Sequence, residues 1–437
     1  MKGGSKNKMR KEEVLDLSEK YLSRMYKRYY PFFPERGIDD VVYDLDGSPY
    51  IDLYAGVSIV NVGWLNKKVS GAVEAQLKRL YHTSSVYYLD YAAKLAKMLA
   101  ELSPGGKLTK SFFTNSGSEA NETAISVSRR TTKRQYIIAL HRSFHGRTFY
   151  ALSALGQSHL KSGLAPFAPV AFAPDPYCYR CPLGHKCAPD CGYACARYLD
   201  EILKCAIGGD AVAAFLAEPM QANGGMIIPP PDYFKEIKAI LDRHQILFID
   251  DEVQAGNGRS GKLWGIEHYG VVPDILTVSK AIANGFPLGV TMMNESVDSL
   301  LKPGEHYSTL GGNAIACVAA TAVLEQLRGG IIEKASESGK YFKAGLEKLM
   351  DKYEIIGDVR GVGLFIGVEL VKDRSSKAPA REEAAKFLQE LFARRVLVGV
   401  GGLEGNVIRI EPPLVLTREH IDQSLEAFEG SLKAIRS

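Results

Sequence analysis

The stretch AAFLAEPMQANGGMIIPPPDYFKEIKAILDRHQILFIDD (213–251) contains one unit of the pattern that decides the fold. An apolar strand pattern at 213–219 leads to a helical pattern at 231–244, and a second strand pattern follows at 246–251. Short apolar strands and helices alternate in this way over about 70–328. This alternation predicts an α/β fold whose large domain carries a doubly wound, mostly parallel sheet.

Both ends of the chain depart from this pattern. Residues 39–56 alternate around an Asp-Gly-Ser turn, which predicts a hairpin. A helix is expected at 332–352, followed by strand patterns and a final helix. We therefore expect a large domain at 70–329 and a smaller α+β domain built from both ends, 1–69 and 330–437.

Composition narrows the classes of function. The chain has 437 residues and a net charge of only +4, without a long basic stripe, so nucleic acid is not an expected partner. The apolar runs are shorter than a membrane span, so no membrane partner is expected either. The basic N-terminal segment lacks the apolar region of a secretory signal, and with seven cysteines this predicts a reducing, cytoplasmic location.

Three segments place reactive groups where strands end. In FFTNSGSEANETA (112–124), a strand pattern leads through a polar turn into a helix, which suits either an anion site or plain helix capping. The strand pattern in ILFIDDEVQ (246–254) ends in carboxylates, and that in PDILTVSKA (273–281) ends on Lys280. Taken singly, a solvated strand end and a surface lysine are the ordinary alternatives.

Together, the three segments match what pyridoxal phosphate requires. A lysine holds the aldehyde as a Schiff base, a carboxylate keeps the pyridine nitrogen protonated, and an N–H-rich turn binds the phosphate. With SFHGRT (143–148), AEPMQANGG (217–225) and HYSTLGGNAIAC (306–317), the chain resembles a class III aminotransferase, a fold-type I pyridoxal-phosphate enzyme. The resemblance extends from residue 51 to residue 422.

The resemblance implies roles for individual residues. Lys280 matches the Schiff-base lysine, and Asp251 matches the partner of the pyridine nitrogen, which leaves Asp250 a structural role. The other cofactor-binding residues that it implies are Ser116, Gly117, Ser118, Phe144, Glu218, Gln254 and Thr309. Because the matching threonine reaches a phosphate across a subunit interface, a homodimer or higher even oligomer with shared active sites is expected.

The implied activity is ping-pong transfer of an amino group. The donor would be a small amino acid or an ω-amino acid of the 4-aminobutyrate, β-alanine or alanine type, and the acceptor 2-oxoglutarate, pyruvate or glyoxylate. A racemase or epimerase on the same scaffold is the alternative. Lys280 must be neutral to act as a base, so a lowered pKa is expected.

Four positions bear on the substrate. By resemblance, Arg409 clamps an α-carboxylate, Arg147 takes a distal carboxylate, and Val57 lies at a substrate-binding position. Asn223 stands where many relatives carry a glutamate that neutralises the clamping arginine and admits ω-amines. Its absence favours alanine- or glyoxylate-type substrates.

Five cysteines cluster at 178–195 with the spacing C-x2-C-x5-C-x3-C-x3-C. Cys178, Cys181, Cys187 and Cys191 are candidate metal ligands, and Cys191 is expected to share a helix face with Cys195. The cysteines could bind a metal, form disulfides or remain free thiols. A metal-binding or redox protein without enzymatic activity is therefore a further alternative. By resemblance, the segment is an elaborated loop outside the catalytic centre.

Overall fold

The computed structural model describes residues 9–164 and 167–435. The strands, in chain order, are β1 (Pro34–Ile38), β2 (Val41–Asp44), β3 (Pro49–Asp52), β4 (Lys110–Thr114), β5 (Tyr136–Leu140), β6 (Val170–Ala173), β7 (Val212–Ala217), β8 (Leu247–Asp251), β9 (Ile275–Val278), β10 (Gly289–Met293), β11 (Ile356–Val362), β12 (Phe365–Asp373), β13 (Ala378–Pro379), β14 (Val396–Leu397), β15 (Gly399–Gly401) and β16 (Val407–Ile410). The helices are α1 (Lys11–Tyr21), α2 (Ala55–Ser58), α3 (Lys67–Leu77), α4 (Asp90–Leu102), α5 (Gly117–Thr132), α6 (Phe149–Ser153), α7 (Ala194–Glu201), α8 (Tyr233–His244), α9 (Glu295–Asp298), α10 (Ala314–Gln326), α11 (Ile332–Lys352), α12 (Arg381–Ala393) and α13 (Arg418–Ala434).

The central sheet has seven strands in the order β4-β10-β9-β8-β7-β5-β6. Neighbours from β9 to β6 pair in parallel, whereas β10 runs antiparallel to both β4 and β9. Every residue of β7, β9 and β10 is buried, as expected for strands covered on both faces. The predicted α/β fold with a mostly parallel central sheet is confirmed.

Two smaller sheets contain the strands nearer the chain ends. The first has the order β1-β2-β3-β14, and its β2–β3 pair is the hairpin expected from the sequence. Its parallel pairing of β3 with β14 joins the two ends of the chain. The second sheet has the order β11-β12-β16-β15, with β13 paired to β12. The exact domain boundaries at 69/70 and 329/330 stay a prediction.

One helical segment is longer and more apolar than the short apolar runs expected from the sequence. By length and composition, Ala314–Lys352 is apolar enough to cross a membrane. The segment consists of α10 and α11, and a turn at Gly329 and Gly330 interrupts its helical backbone. Helix α10 packs against α3 and α4, while α11 packs against β11 and α13. Because a buried core helix passes the same test, this segment is weak evidence for a membrane span.

The cysteine-rich segment connects the central sheet to the second small sheet. Glu369 on β12 is buried and accepts a hydrogen bond from the Tyr177 hydroxyl. Its carboxylate oxygens also lie 2.5 Å from Arg180 Nε and 2.8 Å from Arg360 Nη2. The start of the segment is therefore fixed by a buried carboxylate with two cationic partners.

The cysteines themselves are all free thiols. Within residues 9–164 and 167–435, no group of three or more His, Cys, Asp or Glu is arranged to hold a metal ion. The metal role of Cys178, Cys181, Cys187 and Cys191 therefore stays a prediction without geometric support. The expected helix face shared by Cys191 and Cys195 is wrong, because α7 begins only at Ala194.

Candidate active site

A cavity of about 300 Å³ lies at the edge of the central sheet where its parallel strands end. Most of the predicted cofactor-binding residues line it, namely Ser116, Gly117, Ser118, Phe144, Glu218, Asp251, Gln254 and Lys280. The predicted Thr309 does not line this cavity and is exposed. The sequence segments that looked unrelated in isolation are thus brought together by the sheet.

The start of α5 forms one wall of the cavity. Ser116 caps the helix by accepting a hydrogen bond from the Glu119 N–H at 3.2 Å. The first N–H groups of a helix have no intrahelical partner and attract anions. A Cβ at Gly117 would lie 2.7 Å from a methyl carbon of Val253, so only glycine fits this turn without a shift. A phosphate can therefore approach the backbone closely here.

Asp251 is held on three sides by hydrogen bonds. Its Oδ2 accepts from Asn121 Nδ2 and His145 Nδ1, each at 2.7 Å, and its Oδ1 accepts from the Val253 N–H at 3.1 Å. The carboxylate is buried, so these donors offset the loss of water. Asn121 and His145 were not predicted as site residues, although both lie in the quoted motifs.

Lys280 follows β9 and faces the same cavity. Its Nζ donates a hydrogen bond to Gln254 Oε1 at 2.6 Å. Removal of the amine from bulk water lowers the pKa of Lys280 to about 8. Neighbouring carboxylates, Glu411 first among them, oppose this shift. A lowered lysine pKa is what base chemistry near neutral pH requires.

Asp250 and Glu252 flank Asp251 but play a different part. Both are fully buried, and burial raises the pKa of both carboxyls, that of Glu252 to about 7. Glu252 accepts a hydrogen bond from the Ile266 N–H at 2.8 Å, which anchors the turn after the 256–261 loop. Neither Asp250 nor Glu252 lines the cavity, so the pair stabilises the fold and does not contact a bound ligand.

The three predicted substrate residues do not line the cavity. Arg409 is buried on β16, and its Nε and Nη2 donate to Glu411 Oε2 at 3.0 and 2.7 Å. Arg147 is exposed beside the start of α5, where its N–H donates to Ser118 Oγ. Val57 lies in a left-handed turn and has a φ of 72°. Glu411 was not predicted, and it links Arg409 to the cavity through Gln254.

Trp64 has a structural role that the sequence did not reveal. Its Nε1 donates to Asp52 Oδ2 at 2.8 Å. The other oxygen of Asp52 accepts from the N–H groups of Tyr54 and Ala55, each at 2.9 Å. Trp64 therefore helps to hold the entry to the left-handed turn that contains Val57.

A reactive lysine beside a buried carboxylate and a helix N-terminus, all at one edge of this sheet, defines a pyridoxal-phosphate-dependent enzyme of fold type I. Sequence comparison narrows this class. The chain belongs to the class III aminotransferase family, whose profile matches residues 21–432. Its cofactor is accordingly pyridoxal phosphate.

Individual relatives share the chain over nearly its full length. It is 39% identical to leucine/methionine racemase of Thermococcus litoralis, over 97% of this chain and 96% of the relative. It is 37% identical to acetylornithine aminotransferase of Caldanaerobacter subterraneus subsp. tengcongensis, over 97% of this chain and 100% of the relative. An amine transaminase from an uncultivated Pseudomonas species, solved with pyridoxal phosphate bound, superimposes with a TM-score of 0.89 at 30% identity, covering 95% of this chain and 98% of that one.

Proposed function

We propose that this enzyme transfers an amino group from a small amino acid or ω-amino acid to a keto acid. The observation that carries the proposal is the placement of Lys280: its Nζ donates to Gln254 in the cavity that Asp251 and the start of α5 also line, and burial lowers its pKa to about 8. At pH 7 about one in ten of these amines is neutral, compared with about one in 3,000 at an ordinary lysine pKa. Lys280 can therefore take a proton from a substrate carbon under physiological conditions.

The residues around the cavity would have separate roles in binding the cofactor and in moving the proton. Bound pyridoxal phosphate supplies an electron sink for a carbanion at the substrate carbon. Lys280 would hold the cofactor covalently, and its freed amine would move the proton at the substrate carbon. Asp251, oriented by Asn121 and His145, would keep the pyridine nitrogen protonated. The N-terminus of α5 would bind the phosphate group.

Replacing Lys280 with alanine tests this proposal. We expect the variant to lose turnover and the visible absorption of the lysine-bound cofactor, because no other amine is assigned to either task. A matched control is Lys97→Ala, which removes an exposed lysine that pairs with Glu101 on α4. A Lys280→Ala enzyme that retains wild-type turnover would refute the proposal.

A racemase is the second candidate function, because the 39% identical relative is a leucine/methionine racemase. Such an enzyme would use the same lysine and release no amino group. The two candidates separate when the enzyme receives an amino acid without an acceptor. An aminotransferase forms one equivalent of keto acid and pyridoxamine phosphate, whereas a racemase gives a mixture of enantiomers and leaves the cofactor absorption unchanged.

We also propose a homodimer in the cytoplasm. Tyr81, Val86, Tyr87 and Tyr88 expose 67% or more of their surface, a concentration of apolar groups that a second copy would cover. Thr309, implied by resemblance to act across the interface, is exposed as well. Sedimentation velocity tests this assembly, and a monomer at micromolar concentration would refute it.

A further inference from the structure

Arg409 is already paired with a carboxylate of its own strand segment. Arg409 and Glu411 are two residues apart, so their side chains leave the extended backbone on the same side. Two donors of the guanidinium, Nε and Nη2, are directed at Glu411 Oε2. Both side chains are nearly inaccessible to solvent, at 4% and 0% exposure. The two N–H donors that would bind a substrate carboxylate, Nε and Nη2, are therefore already hydrogen-bonded to Glu411.

Glu411 is held in this position from its other side. Its Oε1 accepts hydrogen bonds from Ser58 Oγ and Gln254 Nε2, each at 2.7 Å. Although burial raises the pKa of Glu411, the charge of Arg409 and the hydrogen bonds from these partners outweigh it, and the net shift is downward. Glu411 is thus a carboxylate with four accepted hydrogen bonds, and it neutralises Arg409.

The backbone that presents Ser58 is strained. Ala55, Gly56, Val57 and Ser58 all have positive φ values, between 49° and 72°. This conformation is costly for residues with a side chain, and for a β-branched valine in particular. Strain of this kind persists where the surrounding structure enforces it, often at ligand sites. Here the strained backbone places the Ser58 hydroxyl where it donates a hydrogen bond to Glu411.

The geometry leaves a poor site for a substrate carboxylate at Arg409. The Nη1 edge of the guanidinium faces Asn223 Oδ1 at 3.5 Å, and a carboxylate arriving there meets a cation whose charge is already cancelled. To use Nε and Nη2, the substrate must displace Glu411 from its four donors. A substrate with hydrogen or an alkyl group at this position meets no such competition.

We propose that Glu411 is a specificity-determining residue that directs the enzyme toward donors whose reacting carbon bears no carboxylate, namely primary amines and ω-amino acids. The carboxylate that is missing at Asn223 is supplied by residue 411 instead. The sequence-based preference for alanine- or glyoxylate-type substrates, which rested on Asn223, is the opposing prediction. This inference rests on the proposed aminotransferase function.

The isomers β-alanine and L-alanine provide the test. They have the same atoms, but only L-alanine carries its carboxylate on the reacting carbon. The rate of cofactor conversion by each donor is followed by absorbance, without an acceptor, in wild type and Glu411→Gln. We expect wild type to favour β-alanine and the variant to shift the ratio at least about tenfold toward L-alanine, because Arg409 regains an uncompensated charge. A ratio within about twofold of wild type overturns the proposal.

Propionate gives a readout that needs no turnover. It presents a carboxylate without an amine, and its binding to the holoenzyme is measured by calorimetry. We expect Glu411→Gln to bind propionate about tenfold more tightly than wild type. Ser58→Ala removes one donor to Glu411 and should shift both readouts in the same direction by less, which keeps the test valid if Glu411→Gln does not fold. Unchanged propionate binding in the folded variants overturns the proposal.

Controls separate this inference from the proposed function. Glu390→Gln changes a partly exposed carboxylate that pairs with Arg394 on α12, and it should leave both readouts unchanged. If neither isomer nor a primary amine such as propylamine converts the cofactor in wild type, the aminotransferase function fails. Propionate binding then still decides whether Glu411 blocks Arg409.

Discussion

Glu252→Gln should remove a pH dependence of stability that originates in the buried carboxyl pair at the end of β8. Asp250 and Glu252 are both fully buried. Burial, and then the like charge of Glu252, raises the pKa of Asp250, while burial raises the pKa of Glu252 from 4.5 to about 7. Glu252 Oε2 and both carboxylate oxygens of Asp250 have no hydrogen-bond partner unless a proton lies between the carboxyls. The folded protein therefore retains a proton that the unfolded chain would release.

The magnitude follows from linkage. For Glu252, the difference between about 7 and 4.5 corresponds to about 3 kcal/mol, at 1.36 kcal/mol for each unit of pKa. Because the folded state binds the proton more tightly, this stabilisation is complete below pH 4.5 and is lost as the pH rises to about 7. A glutamine at position 252 has no titrating carboxyl, and its amide can donate to Asp250, so this loss should disappear in Glu252→Gln.

The assay is denaturant unfolding at pH 5 and pH 8. Wild type should lose about 2 to 3 kcal/mol more between these values than Glu252→Gln does, since part of the effect is already lost at pH 5. Asp242→Asn, a change at an exposed carboxylate paired with Lys238, should keep the wild-type difference. If Glu252→Gln shows the same pH dependence as wild type, Glu252 does not hold a proton in the folded state at neutral pH.

Three further predictions concern the cofactor site. His145→Ala should weaken pyridoxal phosphate binding about ten- to hundredfold, because Asp251 loses a charged hydrogen bond. Titration of the apoenzyme with pyridoxal phosphate measures this affinity, and an unchanged affinity would contradict the role assigned to His145. Gly117→Ala should also weaken cofactor binding, since its Cβ would lie 2.7 Å from a valine methyl carbon, whereas Gly71→Ala on α3 meets no atom within 4 Å and should not. In the apoenzyme, the pH profile for chemical modification of Lys280 should have its midpoint near 8, and a midpoint near 10.5 would refute the lowered pKa.

The fold can be predicted well from the sequence because each strand and helix is marked by a pattern of neighbouring residues. Each central strand is a short apolar run bounded by polar or turn residues, and the helices between them show a clear period. Helix α11 matches the predicted range 332–352. Lys280 and Asp251 could be proposed as neighbours because the parallel strands that lead to them end at the same edge of the sheet.

The environment of Arg409 could not be predicted in the same way. Its spacing from Glu411 is visible in the sequence, but the donor from Ser58 comes from 353 residues away. The approach of Ser58 also depends on a left-handed backbone that non-glycine residues rarely adopt. The substrate preference expected from Asn223 stays a prediction, because position 223 alone does not show that Glu411 pairs with Arg409.

Reduction of the holoenzyme with borohydride, followed by peptide mass spectrometry, tests whether Lys280 is the amine that holds the cofactor. Reduction fixes the cofactor to whichever amine holds it. We expect one pyridoxyl group for each chain, attached to Lys280 in the peptide that follows β9. Labelling at another lysine, or a holoenzyme without a covalently held cofactor, would contradict it.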